Sequence, residues 1–197
     1  MDKQIYILGR DSVPEVITLD SPRDLGMILV ALPGTSLRQR LEIDIQSPGC
    51  EVELRGVFLC TGQEQLGFDI LVRHSSGGST SRQLFKGIAG GSSHTEFNGL
   101  IYVAHDAQKT KAWQENHTLL VTPEAVASAK PQLEIYADDV ECSHGATTGF
   151  LDEMEQFYMR SRGVPEAEAR KLQMISFLSP VLSDLPEGLR DELINSL

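Results

Sequence analysis

The stretch ADDVECSHGATTG, residues 137–149, gathers two aspartates, a glutamate, a cysteine and a histidine between Asp138 and His144. Cys142 and His144 are two positions apart, so in an extended segment both side chains project to one face. A soft thiolate and an imidazole suit iron and iron–sulfur chemistry, but two ligands do not close a tetrahedral site. The remaining ligands must then come from another subunit. The same pair also fits a cysteine nucleophile with His144 as its base, and the composition fits a solvated turn whose Asp138 and Asp139 accept backbone hydrogen bonds. Spacing leaves all three open. Neighbouring carboxylates are expected to raise the pKa of both Cys142 and His144, which disfavours the nucleophile.

The other chemistry-bearing residues have plainer readings. His74 ends a strand run in LVRHSSGGSTS and reads as a hydrogen-bonded structural group. His105 and His117 flank strands and could line the face of His144, but read as surface or turn, as does His94. Cys50 and Cys60 fall in or beside apolar runs and read as small buried hydrophobes. Asp138 and Asp139 are adjacent, so on a strand they face opposite ways and cannot act as an acid/base pair on one substrate. Trp113 and Tyr136 are expected to pack between successive rungs of strands. No G-x-S-x-G elbow, Walker A loop or G-x-G-x-x-G is present, so serine hydrolase, nucleotide-hydrolysing and dinucleotide-binding readings have no starting point.

The elements that position these residues follow two patterns. From Lys3 to about Val121, short β-forming runs recur (IYILG, EVITLD, LEIDIQ, VELRGVFL, LGFDILVRH, RQLFKGIA, EFNGLIYVA, HTLLVT), separated by clusters such as SPGC, TGQEQ and SSGGSTS. LEIYA, ending near Ala137, reads as the last strand. The spacing of successive runs is irregular and too short for propeller blades, which leaves a sandwich, a barrel or a right-handed β-helix. After Gly145 the period becomes helical. Leu151, Met154, Phe157 and Tyr158 share a face, with acidic residues in the first turn and Gly163 as the stop. Pro165 opens a second helix with an apolar stripe through Ala169, Leu172, Ile175, Leu178 and Leu182, which Pro180 should kink or end. Asp184 and Pro186 open a third. The expected division is a β core over residues 1–146 and a helical region over 147–197.

Composition sets outer limits. The chain has 197 residues, 41% hydrophobic, enough to bury a substantial core. A net charge of −11 with no basic run argues against nucleic acid and anionic membranes as partners. The longest apolar run, LGMILVALP, is far short of the roughly 20 residues that span a bilayer. The opening residues carry no long apolar h-region, so no secretory signal is expected and the cytoplasm is the expected compartment. Three cysteines with no CxxC pair argue against a disulfide framework or a structural zinc site.

The run KPQLEIYADDVECSHGATTGFLDEMEQFYMRSRGV, residues 130–164, resembles the C-terminal signature of the SufB/SufD family, scaffold proteins of the SUF iron–sulfur cluster assembly system. FKGIA, FNGLIYV, AQKTKAWQENHTLLVT and AKPQLEI resemble the same family in the same order, so the resemblance covers roughly residues 70–197. KPQLEI and DDVECSHGAT are more similar to the SufD branch. The resemblance implies a right-handed parallel β-helix followed by a C-terminal α-helical region, and a non-enzymatic scaffold. Its implied partners are a SufC-like ATPase docked on the helices and a SufB-like subunit, or a second copy, meeting the β-helix. It further implies that Cys142 and His144 handle a transient iron or iron–sulfur cluster at a subunit interface, with nothing tightly bound to the isolated chain. His74 matches a family histidine ahead of a Ser/Thr-rich turn and enters as a candidate metal ligand. Strands begin almost at once here, where the family carries an N-terminal helical region and more rungs. Two alternatives are a β-helical carbohydrate-active enzyme using carboxylates and a diverged interaction module without metal.

Overall fold

The computed structural model describes residues 1–197. Eleven strands alternate between two parallel sheets. One sheet holds β1 (Lys3–Ile7), β3 (Leu25–Ala31), β5 (Glu51–Cys60), β7 (Thr80–Ala89), β9 (Lys111–Leu120) and β11 (Glu141–Phe150), in that order. The other holds β2 (Val16–Leu19), β4 (Leu37–Ile45), β6 (Gln65–His74), β8 (His94–Val103) and β10 (Val126–Ile135). Each strand pairs with the strand two places on, so the chain winds as a β-solenoid, the β-helix among the expected folds. The apparent irregularity of successive runs disappears when alternate strands are compared. Residues in register on successive rungs lie 29 to 32 positions apart from β4 onward, after shorter first rungs of 23 to 27.

The strand period of two divides each sequence between lumen and exterior. Inward-facing Met27, Leu29, Leu54, Phe58, Phe68, Phe85 and Phe97 belong to one buried cluster filling the early and middle rungs. Four of its rings form a continuous stack, Phe58 to Phe68 to Phe85 to Phe97, with centroid separations of 5.8, 5.3 and 4.9 Å. Such pairs add about 0.5–1.5 kcal/mol each beyond area burial. Gly87 faces the ring of Phe58 so closely that a β-carbon would collide with it.

Three helices follow: α1 (Glu153–Ser161), α2 (Glu166–Leu182) and α3 (Glu187–Asn195). Asp152 caps α1, accepting from the Glu155 amide at 2.9 Å, and Gly163 takes φ 90° just past its end. α2 continues two residues beyond Pro180 instead of ending there. The carbonyl that proline leaves without its helical donor, Ser176 O, accepts from the Ser179 hydroxyl at 2.8 Å. Met174, Leu178, Val181 and Leu182 of α2, with Leu193 of α3, pack on outward-facing Ile28, Val30, Val57, Leu59 and Ile88. Ala169 is also buried, whereas Leu172 of the expected stripe is exposed. Lys3 and Arg55 each lie 2.7 Å from Asp184, pinning the end of α2 to the sheet. The helical region is therefore packed along the solenoid. No helix is long and apolar enough to cross a membrane.

Two strands depart from the sequence reading. LGMILVA is strand β3, and its continuous apolar character arises because both faces are covered: Met27 and Leu29 by the lumen, Ile28 and Val30 by the helices. LEIYA is only the end of β10, and a further ten-residue strand, β11, follows it and runs through Phe150. The expected boundary near residue 147 thus falls inside a strand.

Candidate functional site

β11 is the last strand of its sheet, hydrogen-bonded to β9 on one side and open on the other. β10 is likewise the last strand of the second sheet. The solenoid therefore ends in two adjacent unpaired edges, and β11 carries the CSH sequence along one of them. Its composition suits that position: with no rung above, its inward side is Cys142, His144, Ala146 and Thr148 in place of the large apolar side chains of the early and middle rungs.

In the parallel register Cys142 lies over Ala112, His144 over Gln114, Ala146 over Asn116 and Thr148 over Thr118. All four β9 residues are buried, so Cys142 and His144 share the lumen-facing side of β11. Cys142 is half-buried and packs at the edge of a small cluster containing Ile101, Val103, Ala107, Ala112 and Ala137. Burial pushes its thiol pKa up, opposed by a hydrogen bond from the Ala112 backbone. The cause is thus burial, where neighbouring carboxylates were expected. His144 is exposed.

Asp138 and Asp139 lie in the exposed connection between β10 and β11. The Asp139 amide donates to Gln108 Oε1 at 2.8 Å, and Asp139 O accepts from the Lys109 amide, whose residue takes φ 60°. These contacts fix the path of the chain into β11. No third histidine, cysteine or carboxylate gathers with Cys142 and His144, so within one chain the ligand set is incomplete.

The remaining candidates separate from this pair. His74 is fully buried at the inward end of β6, with Nε2 2.8 Å from Ser81 Oγ. Ser81 registers with Ala112 and Ala112 with Cys142, which sets His74 two rungs below the thiol. His117 faces outward, with Nδ1 2.7 Å from Thr147 Oγ1 and Nε2 3.1 Å from Glu115. His105 sits on an exposed turn beside Asp106, and His94 opens β8 instead of lying in a turn. Cys50 and Cys60 are buried, the latter with its pKa raised to about 12 by burial and then by Glu64. Trp113 and Tyr136 lie on the exterior, Trp113 under Arg82 at 4.8 Å and Tyr136 against Tyr102 at 5.5 Å. The pleat decides this for Trp113, since it alternates with buried Ala112 and Gln114.

Two features lay outside the sequence reading. The lumen changes character along its length: below β11 it presents Gln83, Gln114, Asn116 and Thr118, all buried. Gln114 Nε2 donates to Gln83 Oε1 at 2.9 Å, while Gln114 Oε1 has no partner. A soft thiolate and an imidazole on one strand face are donor types that suit iron, and the rung beneath them holds a buried unpaired acceptor. The second feature is a groove of about 740 Å³ between α1 and α2, lined by Leu119, Phe150, Met154, Tyr158, Leu172 and Phe177. α1 buries no residue, and Met154, Phe157 and Tyr158 are 74%, 65% and 61% exposed.

Comparison with known proteins adds sequence kinship. The family model described as "SUF system FeS cluster assembly, SufBD core domain" matches residues 20–177, reaching further toward the first rungs than the resemblance read from motifs. The chain is 37% identical over 161 residues to the iron–sulfur cluster assembly protein SufD of Escherichia coli K12, covering 82% of this chain and 37% of that protein. It is 31% identical over 153 residues to SufD of Bacillus subtilis 168, covering 77% and 35%. It is 35% identical over 173 residues to the chloroplastic protein ABCI7 of Arabidopsis thaliana, covering 86% and 36%. The chain thus spans little more than a third of the length of these relatives.

Proposed function

The chain belongs to the SufBD family of the SUF iron–sulfur system and is SufD-like, and from that premise we propose that it is a non-enzymatic scaffold that holds iron or a nascent cluster at the open end of its solenoid. The observation that carries this reading is the placement of Cys142 and His144 on the lumen-facing side of the terminal strand, incomplete as a ligand set and open to a second subunit. Unpaired strand edges recruit further strands. A SufB-like subunit, or a second copy of this chain, meets β10 and β11 there and supplies the missing ligands. His74, buried and bonded to Ser81, serves the rung architecture and takes no part in first contact with the metal.

The groove between α1 and α2 is the proposed seat of a SufC-type ATPase. Its support is the set of apolar side chains that α1 leaves uncovered, flanked by Asp152, Glu153 and Glu155. Exposed charge of this kind is screened over about 8 Å at physiological salt, so raising the salt should weaken that contact.

A carbohydrate-active alternative needs a carboxylic acid of raised pKa beside a second carboxylate. On the exterior of the second sheet, hydrogen bonds from Asn98 and then Arg38 hold Glu96 below the usual carboxylate range. At Asp69 burial raises the pKa, but the same two donors outweigh it. Neither carboxylate suits a general acid.

The test is anaerobic iron–sulfur reconstitution of the chain with SufB- and SufC-type partners, comparing the natural sequence with Cys142→Ser and His144→Ala. Loss of cluster yield in both variants is expected. Equal yield in all three proteins would reduce the pair to a satisfied strand end.

A further inference from the structure

Three buried amide groups line the lumen beneath β11, and each has an unsatisfied atom: Gln83 Nε2, Gln114 Oε1 and Asn116 Nδ2. Buried polar atoms of folded proteins almost always have partners, so each asks what it is built to meet. Gln114 has the most constrained answer. Its Nε2 is committed to Gln83 Oε1 on the preceding rung, 2.9 Å away. Oε1 lies against Gly99 and finds no partner on its own or the preceding rung, which leaves the following rung as the side from which a donor can come.

That rung offers two side chains at this level. Gln114 reaches across the lumen to Gly99, where a β-carbon would collide with the amide. The β10 residue over Gly99 is Pro131, which has no N–H to donate. The β11 residue over Gln114 is His144. Strands in register stand about 4.8 Å apart, within reach of a ring nitrogen by side-chain rotation. His144 is exposed and has no side-chain hydrogen bond competing for it.

We propose that Gln114 is a positioning residue for His144: its Oε1 accepts a hydrogen bond from one imidazole N–H and leaves the lone pair of the other ring nitrogen directed at the metal. This rests on the reading of Cys142 and His144 as metal ligands. Metal-bound histidines almost always donate their second ring N–H to such an acceptor, which fixes tautomer and orientation, and losing the acceptor typically costs 10–100-fold in metal affinity. The Gln83–Gln114 pair then acts as an amide ladder. Gln83 holds the amide of Gln114, and Gln114 holds the ring.

The test begins without metal. Imidazole ¹⁵N NMR of the full chain, at a pH where the rings are neutral, should show His144 in one dominant, hydrogen-bonded tautomer. Gln114→Met should return it to the mixture of a solvated imidazole, and Gln114→Glu, which keeps an acceptor oxygen, should preserve the single tautomer. Anaerobic titration of the chain and its partner complex with ferrous iron should then show at least a tenfold loss of affinity in Gln114→Met, restored in Gln114→Glu. A natural chain whose His144 already shows the solvated mixture overturns the proposal whatever the variants do. So does a Gln114→Met protein with unchanged tautomer ratio. Unchanged iron affinity in His144→Ala would instead defeat the metal-site reading on which the proposal rests, and the tautomer measurement separates the two failures.

Discussion

His74 Nε2 lies 2.8 Å from Ser81 Oγ inside the solenoid, joining the end of β6 to the start of β7 through a side-chain contact the solvent never sees. Burial lowers the histidine pKa from 6.5 to about 4. Between those values the unfolded chain binds a proton at His74 that the folded chain refuses. Stability is therefore full above about pH 6.5 and falls as the pH drops toward 4, by about 3 kcal/mol in all. Chemical denaturation at a series of pH values should show this slope, and His74→Gln should flatten it. An unchanged slope in the variant would place the titration elsewhere.

Cys142 is the one cysteine of the three that is not buried. Because burial raises its pKa, only a small fraction is thiolate at neutral pH. Iodoacetamide under native conditions should modify Cys142 alone, and more slowly than an exposed model thiol, with the rate rising as pH approaches 9. Mass mapping that finds Cys50 or Cys60 modified first would contradict the packing described here.

Phe85 joins the aromatic stack on both sides, 5.3 Å from Phe68 and 4.9 Å from Phe97, and is fully buried. Phe85→Ala should cost about 3–5 kcal/mol, the usual range for deleting a core phenylalanine. A loss below about 1 kcal/mol in urea denaturation would mean that the lumen collapses around the gap.

α1 buries none of its own residues, so its apolar side chains are free to serve a partner. Tyr158→Asp should weaken binding of a SufC-type ATPase about tenfold or more in calorimetry while leaving the melting temperature of the chain nearly unchanged. Undiminished ATPase binding would move the docking surface away from this groove.

Legibility in the sequence followed burial. Runs such as LEIDIQ and LGFDILVRH alternate cleanly because one face meets the lumen and the other meets water. β3 was hidden among them because helices cover its outer face, so it carries no alternation. β11 was hidden for the opposite reason: ECSHGATTGF ends the stack, lacks a covering rung and so carries no alternating apolar run to betray a strand. Cys142 and His144 stood out by residue type and spacing, whereas Gln114 did not. Its significance comes from the register that sets it beneath His144, a relation between residues 30 positions apart that local sequence patterns do not encode. The exposed face of α1 carried the same apolar stripe as a buried helix, and only packing distinguishes a core stripe from one awaiting a partner.

Joint binding of iron by Cys142 and His144 at the end of the solenoid is read by iron X-ray absorption spectroscopy of the chain loaded anaerobically together with SufB- and SufC-type proteins. Both sulfur and imidazole nitrogen are expected in the iron shell, with a sulfur scatterer lost in Cys142→Ser and an imidazole lost in His144→Ala. A ligand shell that is identical in the natural protein and both variants would contradict it.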